Sequence, residues 1–100
     1  MILELADIHV TPGRQTEFEA ALRTAVETVL PRAQGFKGCE VHRGIESAER
    51  FVLLIRWQTV ENHTVDFRQG PLFAEWRALI GPFFAAPPTV EHFSRVAGSR

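Results

Sequence analysis

The most constraining stretch of this sequence is the apolar segment from Arg50 to Gln58, RFVLLIRWQ. In an extended chain, successive side chains point to opposite faces of a sheet. One face of the segment would carry only large apolar side chains, those of Phe51, Leu53, Ile55 and Trp57. The other face would carry Val52, Leu54 and Arg56. Because both faces are largely apolar, the pattern predicts a central β-strand that is covered on both sides.

The residues after this strand predict a helix that folds back over the end of the strand. Thr59 is a residue type that caps helix N-termini, and His63 and Phe67 follow it at a spacing of four residues. Side chains four residues apart lie on the same face of a helix. We therefore expect His63 and Phe67 to lie over the Trp57 end of the strand. There they would wall a small aromatic pocket that contains one titratable group.

Three other segments predict strands, over residues 2–10, 36–45 and 89–96. The polar loop from Glu46 to Glu49 would join the second strand to the central strand as a hairpin. A helix between the first two strands is predicted by the apolar stripe Phe18, Leu22, Ala25 and Val29. A second broad apolar helical face precedes the last strand and consists of Leu72, Phe73, Trp76, Leu79, Ile80 and Phe83.

The order strand, helix, strand, strand, helix, strand is that of the ferredoxin-like α+β fold, a split βαβ arrangement with a four-stranded antiparallel sheet. We expect one domain over residues 1–97 and a flexible C-terminal tail over residues 98–100. In this fold both helices pack on one face of the sheet. The opposite face would expose Val52 and Leu54, so we expect a second copy of the chain to cover it in a homodimer.

Composition excludes several classes of partner. The net charge of −1 over 100 residues gives no electrostatic reason to bind nucleic acid or an anionic membrane. The N-terminal segment MILELADIHV contains two acids and no basic region, so we expect neither a secretory signal nor a membrane span, and a cytoplasmic protein. Cys39 is the only cysteine, which excludes an internal disulfide and a thiolate cluster for zinc or iron–sulfur.

Four short motifs carry a family resemblance, and they occur in order along the chain. They are Thr11-Pro12-Gly13-Arg14, Gln34-Gly35-Phe36, Arg56-Trp57-Gln58-Thr59 and Pro71-Leu72-Phe73. With them the chain resembles the antibiotic biosynthesis monooxygenase (ABM) family of small dimeric α/β-barrel proteins. The resemblance implies a homodimer in which each subunit holds a pocket between its sheet and its helices. In characterised relatives that pocket oxidises a polycyclic phenol with molecular oxygen, without flavin or metal, or degrades haem, or carries out other chemistry.

Individual positions distinguish these activities. Trp57 matches the tryptophan that belongs to the substrate pocket of the quinone-forming enzymes. Leu53 stands where those enzymes have an asparagine, and His63 stands where they have a tyrosine. The haem-degrading members combine an asparagine in the first strand with a tryptophan and an axial histidine. Here the corresponding positions are Asp7, either Asp66 or Phe67, and Trp76. None of them is an axial histidine, so haem degradation is the weaker match.

The resemblance therefore implies a cofactor-independent monooxygenase that oxidises a small or polycyclic aromatic molecule with molecular oxygen. An imidazole titrates near neutral pH, so His63 is the first candidate for the base that deprotonates a phenol. His92 is the second candidate, although alternation does not decide which face of the sheet it occupies. Arg68 could stabilise an oxyanion or bind a carboxylate. Apolar and stacking surface for the substrate would come from Trp57, Phe67, Phe73 and Trp76.

Other interpretations of the same residues remain open at this point. Trp57 and Phe67 could be core residues, and Arg68 could be a solvated side chain. No motif for flavin, haem or nucleotide is present, so we expect no cofactor. The pairs Asp7 and His9, and Glu40 and His42, each share a strand face without an evident third ligand, so we expect no metal. The alternative function is a non-catalytic ligand-binding or structural homodimer with the same fold.

Overall fold

A computed structural model describes all residues from Met1 to Arg100. The four strands are β1 (Ile2–His9), β2 (Phe36–Arg43), β3 (Arg50–Trp57) and β4 (Thr89–Ser94). The two α-helices are α1 (Gln15–Thr28) and α2 (Pro71–Ile80). A π-helical segment spans Asn62–Phe67, and short 3₁₀ turns span Leu30–Arg32 and Gly81–Phe83. None of the helices combines the length and the apolar character needed to cross a membrane.

The strands form one antiparallel sheet in the order β2-β3-β1-β4. Both α-helices contribute buried apolar side chains to the core on one face of this sheet. The predicted ferredoxin-like α+β fold is therefore confirmed. The predicted hairpin is also present, because β2 pairs with β3 and the chain turns between Gly44 and Glu49.

The core lies between the inner face of the sheet and the helices. The predicted alternation in β3 is confirmed, since four of its side chains are buried: Phe51, Leu53, Ile55 and Trp57. Phe18, Leu22 and Ala25 of α1 are buried against them, as the apolar stripe predicts. Phe18 packs edge-on against Phe51 with ring centroids 4.9 Å apart. Each such side chain contributes about 1.5–3 kcal/mol to the folded state through burial.

Several strand ends differ from the predicted ones by one or two residues. β2 ends at Arg43 because the next residue, Gly44, begins the hairpin turn and donates its N–H to the Arg50 carbonyl at 2.7 Å. β4 ends at Ser94, which pairs with Ile2, because β1 begins there and offers no partner further along. The predicted domain limits, with a flexible tail at residues 98–100, stay a prediction.

The outer face of the sheet is apolar and only partly covered within one chain. Its side chains include Val52 and Leu54 of β3, both half-buried. The neighbouring strands add Leu3 and Leu5, also half-buried, and Phe93, which is 46% exposed. The structure contains one copy of the chain, so the expected second copy on this face stays a prediction.

Candidate active site

A reciprocal cap fixes the start of the helical segment that carries His63. The Thr59 N–H donates to Asn62 Oδ1 at 3.0 Å, and the Asn62 N–H donates to Thr59 Oγ1 at 3.2 Å. This confirms the predicted capping role of Thr59. Gly35 lies beside the cap with a φ of +79°, and a Cβ at that position would collide with the Asn62 side chain. The Gln34-Gly35-Phe36 turn therefore sets the position of the segment.

The segment then widens into a π-helix, in which the Arg68 N–H donates to the His63 carbonyl, five residues back, at 3.0 Å. Such single-turn π-helices occur frequently at functional sites. Both His63 and Phe67 are buried, and both lie over the Trp57 end of β3. The imidazole of His63 stacks on the Trp57 indole with a centroid distance of 5.4 Å and an interplanar angle of 23°.

A cavity of about 560 Å³ lies between the inner face of the sheet, the π-helical segment, α2 and the chain from Phe84 to Pro88. Its walls are mostly apolar. They include five residues that the sequence suggested for the site: His63, Phe67, Arg68, Phe73 and Trp76. Phe67 packs edge-on against both Phe73 and Trp76, with centroids 5.7 and 6.1 Å away.

Two suggested residues lie behind the cavity wall rather than in it. Trp57 is fully buried and does not line the cavity, and the rings of His63 and Phe67 pack against it with centroids 5.4 and 5.6 Å away. His92 is partly exposed and lies on the inner face of the sheet, where it contacts His63. The sequence left undecided which face of the sheet His92 occupies. The structure places it on the face toward the helices.

A row of polar side chains in close contact runs along this wall. The Trp57 indole N–H donates to Glu4 Oε1 at 2.9 Å. The same Oε1 atom lies 3.3 Å from His63 Nε2. On its other side, His63 Nδ1 lies 2.8 Å from His92 Nε2. Both ring nitrogens of His63 are therefore occupied, whereas the Glu4 carboxylate makes both contacts through Oε1 and leaves Oε2 without a protein partner.

Glu4 is the residue that sequence reasoning missed. It is 5% exposed and lines the cavity from β1. A signal was present, because Glu4 alternates with Ile2, Ala6 and Ile8 and is the only charged residue on that strand face. A charged residue on an otherwise apolar inner face requires a polar partner. Here Trp57 donates a hydrogen bond to Glu4, and His63 lies within ion-pair distance of it.

Burial shifts the titration of all three ionisable groups in the row. It raises the pKa of the Glu4 carboxyl to about 7, although the hydrogen bond from Trp57 and the positive charge of Arg68 act in the opposite direction. Burial lowers the pKa of His63 to about 4, with smaller contributions in the same direction from the charges of Arg68 and His92. The pKa of His92 is lowered by burial and by Arg68. At neutral pH both imidazoles are uncharged and Glu4 is poised to exchange a proton.

Two arginines at the cavity are free of carboxylate partners. Arg68 and Arg77 both line the cavity, and neither forms an ion pair or a side-chain hydrogen bond. Arg77 lies over the Phe73 ring at 5.9 Å. Two unpaired guanidinium groups thus give an otherwise apolar cavity a positively charged side.

The chain offers no cluster of three or more His, Cys, Asp or Glu side chains with the arrangement of a metal site. Asp7 is instead held by Arg50 through two hydrogen bonds of 3.1 and 2.8 Å. His42 lies 3.2 Å from Glu40 on the exposed edge strand.

Residues 1–79 match the family model for antibiotic biosynthesis monooxygenases. The chain belongs to this family. It is 38% identical to the uncharacterised protein YczJ of Bacillus subtilis (strain 168) over 99 residues, which cover 96% of this chain and all of that protein. The resemblance that the four motifs carry is therefore confirmed.

Solved structures agree with this assignment. A Bordetella bronchiseptica protein assigned to the antibiotic biosynthesis monooxygenases superposes with a TM-score of 0.92 at 47% identity, over 96% of this chain and 97% of that one. SnoaB of Streptomyces nogalater, a cofactor-independent oxygenase, superposes with a TM-score of 0.80 over 97% of this chain and 94% of its own. The 14% identity to SnoaB shows a shared fold only.

Proposed function

We propose that this protein is a cofactor-independent monooxygenase that oxidises an electron-rich phenol with molecular oxygen. The observation that carries the proposal is the buried Glu4–His63 pair in the wall of an apolar, aromatic-lined cavity. Support also comes from membership of a monooxygenase family and from the fold shared with SnoaB, which is a cofactor-independent oxygenase.

The chemistry requires the protein to create an electron donor. Oxygen is a triplet molecule and reacts slowly with closed-shell organic compounds, but a phenolate gives up an electron far more readily than a phenol. In the overall reaction a phenol and one oxygen molecule give a quinone and one water molecule. One oxygen atom enters the ring at a C–H position, and the other leaves as water. The protein's task is to remove the phenolic proton and hold the anion beside oxygen in a dry site.

The Glu4–His63 pair is the proton acceptor in this proposal, rather than His63 by itself. His63 has no ring nitrogen free for a substrate, because Glu4 and His92 occupy both. Glu4 Oε2 is free, and the carboxyl pKa of about 7 matches the pH at which a general base is most effective. The His63 Nε2–H would stabilise the ionised carboxylate by donating to Oε1.

The rest of the cavity suits a flat, anionic aromatic molecule. Phe67, Phe73 and Trp76 provide apolar surface and ring edges against which an aromatic substrate packs. Arg68 lies near Glu4, His63 and His92, since its charge affects the pKa of all three. A guanidinium at that place would stabilise the phenolate as it forms.

Oxygen uptake by the purified, chelator-treated protein tests the proposal, with dihydroxynaphthalenes and anthrones as the substrate panel. We expect turnover by the wild type and a loss of about 10²- to 10⁴-fold in Glu4→Gln, as for removal of a general base. Glu27→Gln is the matched control, because Glu27 lies exposed on α1. Thermal stabilisation by these compounds without any oxygen uptake would instead indicate a non-catalytic binding protein.

A further inference from the structure

Glu4, His63 and His92 form one continuous row from the cavity toward solvent. Glu4 and His92 are opposite each other in the pairing of β1 with β4, so their side chains leave the same face of the sheet. The π-helical segment places the His63 ring between them, 3.3 Å from Glu4 Oε1 and 2.8 Å from His92 Nε2. Glu4 lines the cavity, and His92 is partly exposed.

Two arrangements of protons are compatible with the short contacts of this row. With Glu4 ionised, His63 Nε2–H donates to Glu4, and His92 Nε2–H donates to His63 Nδ1. With Glu4 protonated, its O–H donates to His63 Nε2, and His63 Nδ1–H donates to His92 Nε2. The second arrangement holds one proton more than the first: His92 Nδ1 takes it up from solvent, and the other two protons each move one step along the row, which is the property of a proton wire.

We propose that Glu4, His63 and His92 relay a proton from the cavity to the protein surface. A substrate O–H bond breaks and its proton goes to Glu4 Oε2. Glu4 passes a proton to His63 Nε2, His63 Nδ1–H passes its own to His92 Nε2, and His92 Nδ1–H releases one to solvent. Each imidazole gains and loses one proton, so neither changes charge; the transfers leave both N–H groups on Nε2, and each ring must return its N–H to Nδ1 before the next proton can pass. The catalytic use of this relay rests on the function proposed above.

The surroundings of the row favour uncharged imidazoles. Arg68, which follows the π-helical segment, is the cation whose charge affects all three members. Trp57 on β3 donates only to Glu4. Cys39 on β2 is the remaining titratable group near Glu4, and burial raises the pKa of its thiol to about 12, so it stays neutral. The positive charge of Arg68 therefore disfavours a second positive charge on either imidazole.

The relay makes a prediction that does not depend on turnover. Because Glu4 controls the proton arrangement, the imidazoles of His63 and His92 should change tautomer together as Glu4 titrates. The ¹⁵N chemical shifts of the two rings distinguish a protonated from an unprotonated nitrogen. In the wild type, we expect the N–H of both rings to move from Nε2 to Nδ1 as the pH falls through about 7. In Glu4→Gln, one arrangement should persist over that range.

A kinetic experiment tests the last step of the relay. His92→Gln keeps an N–H that can donate to His63 Nδ1 but cannot pass a proton on. We expect its kcat to fall at least tenfold and to recover when imidazole is added as a soluble proton carrier. His42→Gln, at a histidine whose side chain is 61% exposed on β2, is the matched control and should equal the wild type with or without imidazole.

The outcomes separate the relay from the proposed function. Tautomers that stay fixed from pH 5 to 9, or that change independently, would overturn the relay even if oxygen uptake were observed. A wild-type kcat in His92→Gln, or a loss that imidazole does not restore, would overturn its role in turnover. Coupled tautomer changes in a protein that consumes no oxygen would leave the relay standing and refute the monooxygenase.

Discussion

The indole N–H of Trp57 donates to Glu4 Oε1 at 2.9 Å, and both side chains are buried. This contact joins the tryptophan at the end of β3 to an ionisable group of the cavity wall, although the tryptophan itself does not line the cavity. The hydrogen bond stabilises the ionised carboxylate and so acts against the effect of burial on the Glu4 pKa.

Trp57→Phe is therefore expected to raise the Glu4 pKa above its present value of about 7. A hydrogen bond to a charged group contributes about 1.5–3 kcal/mol, so the increase should be about one to two pH units. The ¹³C shift of the Glu4 carboxyl carbon measures this pKa directly. If the enzyme turns over, the acid limb of kcat/KM should move to higher pH by the same amount.

Trp76→Phe provides the control for this prediction, because Trp76 lines the cavity but forms no hydrogen bond with Glu4. It should leave the Glu4 pKa unchanged. An equal pKa in wild type and Trp57→Phe would show that the indole does not stabilise the carboxylate.

Glu4 and His63 have opposite effects on the pH dependence of stability. The pKa of Glu4 is raised in the folded state from 4.5 to about 7. The contribution of Glu4 to the free energy of unfolding is therefore complete below pH 4.5 and is lost as the pH rises to 7. The pKa of His63 is lowered from 6.5 to about 4, so its contribution is complete above pH 6.5 and is lost as the pH falls to 4. Each effect amounts to about 3 kcal/mol across its window.

These two contributions nearly cancel between pH 4.5 and 6.5, and single variants should separate them. In Glu4→Gln the free energy of unfolding should rise with pH relative to the wild type, because only His63 remains. In His63→Gln it should fall with pH relative to the wild type. Urea denaturation at several pH values measures these slopes, and taking differences removes the contribution of exposed ion pairs. Identical slopes in all three proteins would contradict the pKa shifts.

The alternating pattern of β3 was sufficient to predict the centre of the fold. Large apolar side chains at every second position identify a buried strand without knowledge of its neighbours. The four-residue spacing of His63 and Phe67 then put both side chains on one side of the helical segment, and the predicted fold-back after Thr59 put that side over Trp57. Contacts that depend on local geometry can be predicted from one sequence.

The Glu4–His63–His92 row could not be predicted in the same way. Glu4 faces His92 only because β1 pairs with β4 in one register, and that register depends on strands far apart in the chain. The π-helical turn adds a further non-local effect, since its five-residue hydrogen bond has no sequence signature. The sequence therefore identified His63 as the titratable residue but missed its partner Glu4 on β1.

Substitution of Gly35 should destabilise the protein because Gly35 has a positive φ angle and lies against the Asn62 side chain. Its φ of +79° costs a residue with a side chain about 1–2 kcal/mol, and an added Cβ would also collide with Asn62. Gly35→Ala should therefore lower the free energy of unfolding by at least about 2 kcal/mol and displace the His63 segment. Gly81→Ala is the matched control. Gly81 has helical φ and ψ angles and open space around it, so alanine should be neutral or slightly stabilising.

Urea denaturation gives both stabilities, and the ¹⁵N shifts of His63 report whether the segment has moved. Equal stability of Gly35→Ala and Gly81→Ala would show that the turn can relax without displacing the cap formed by Thr59 and Asn62.

The outer face of the sheet leads to the last prediction, which concerns a second copy of the chain. Leu54 lies near the centre of this face, between Leu5 on β1 and Glu40 on β2. Its side chain is only half-buried in one chain, and with Leu3, Leu5 and Val52 it forms an apolar patch of the kind that monomers rarely leave exposed.

We expect the wild type to elute with twice the mass of one chain in size-exclusion chromatography with light scattering. Leu54→Glu would place a charge in the interface and should yield a monomer, whereas Ile45→Glu, at a 96% exposed residue in the hairpin turn, should not change the mass. A monomeric wild type would leave the face without a partner, and a dimeric Leu54→Glu would place the interface elsewhere on the surface.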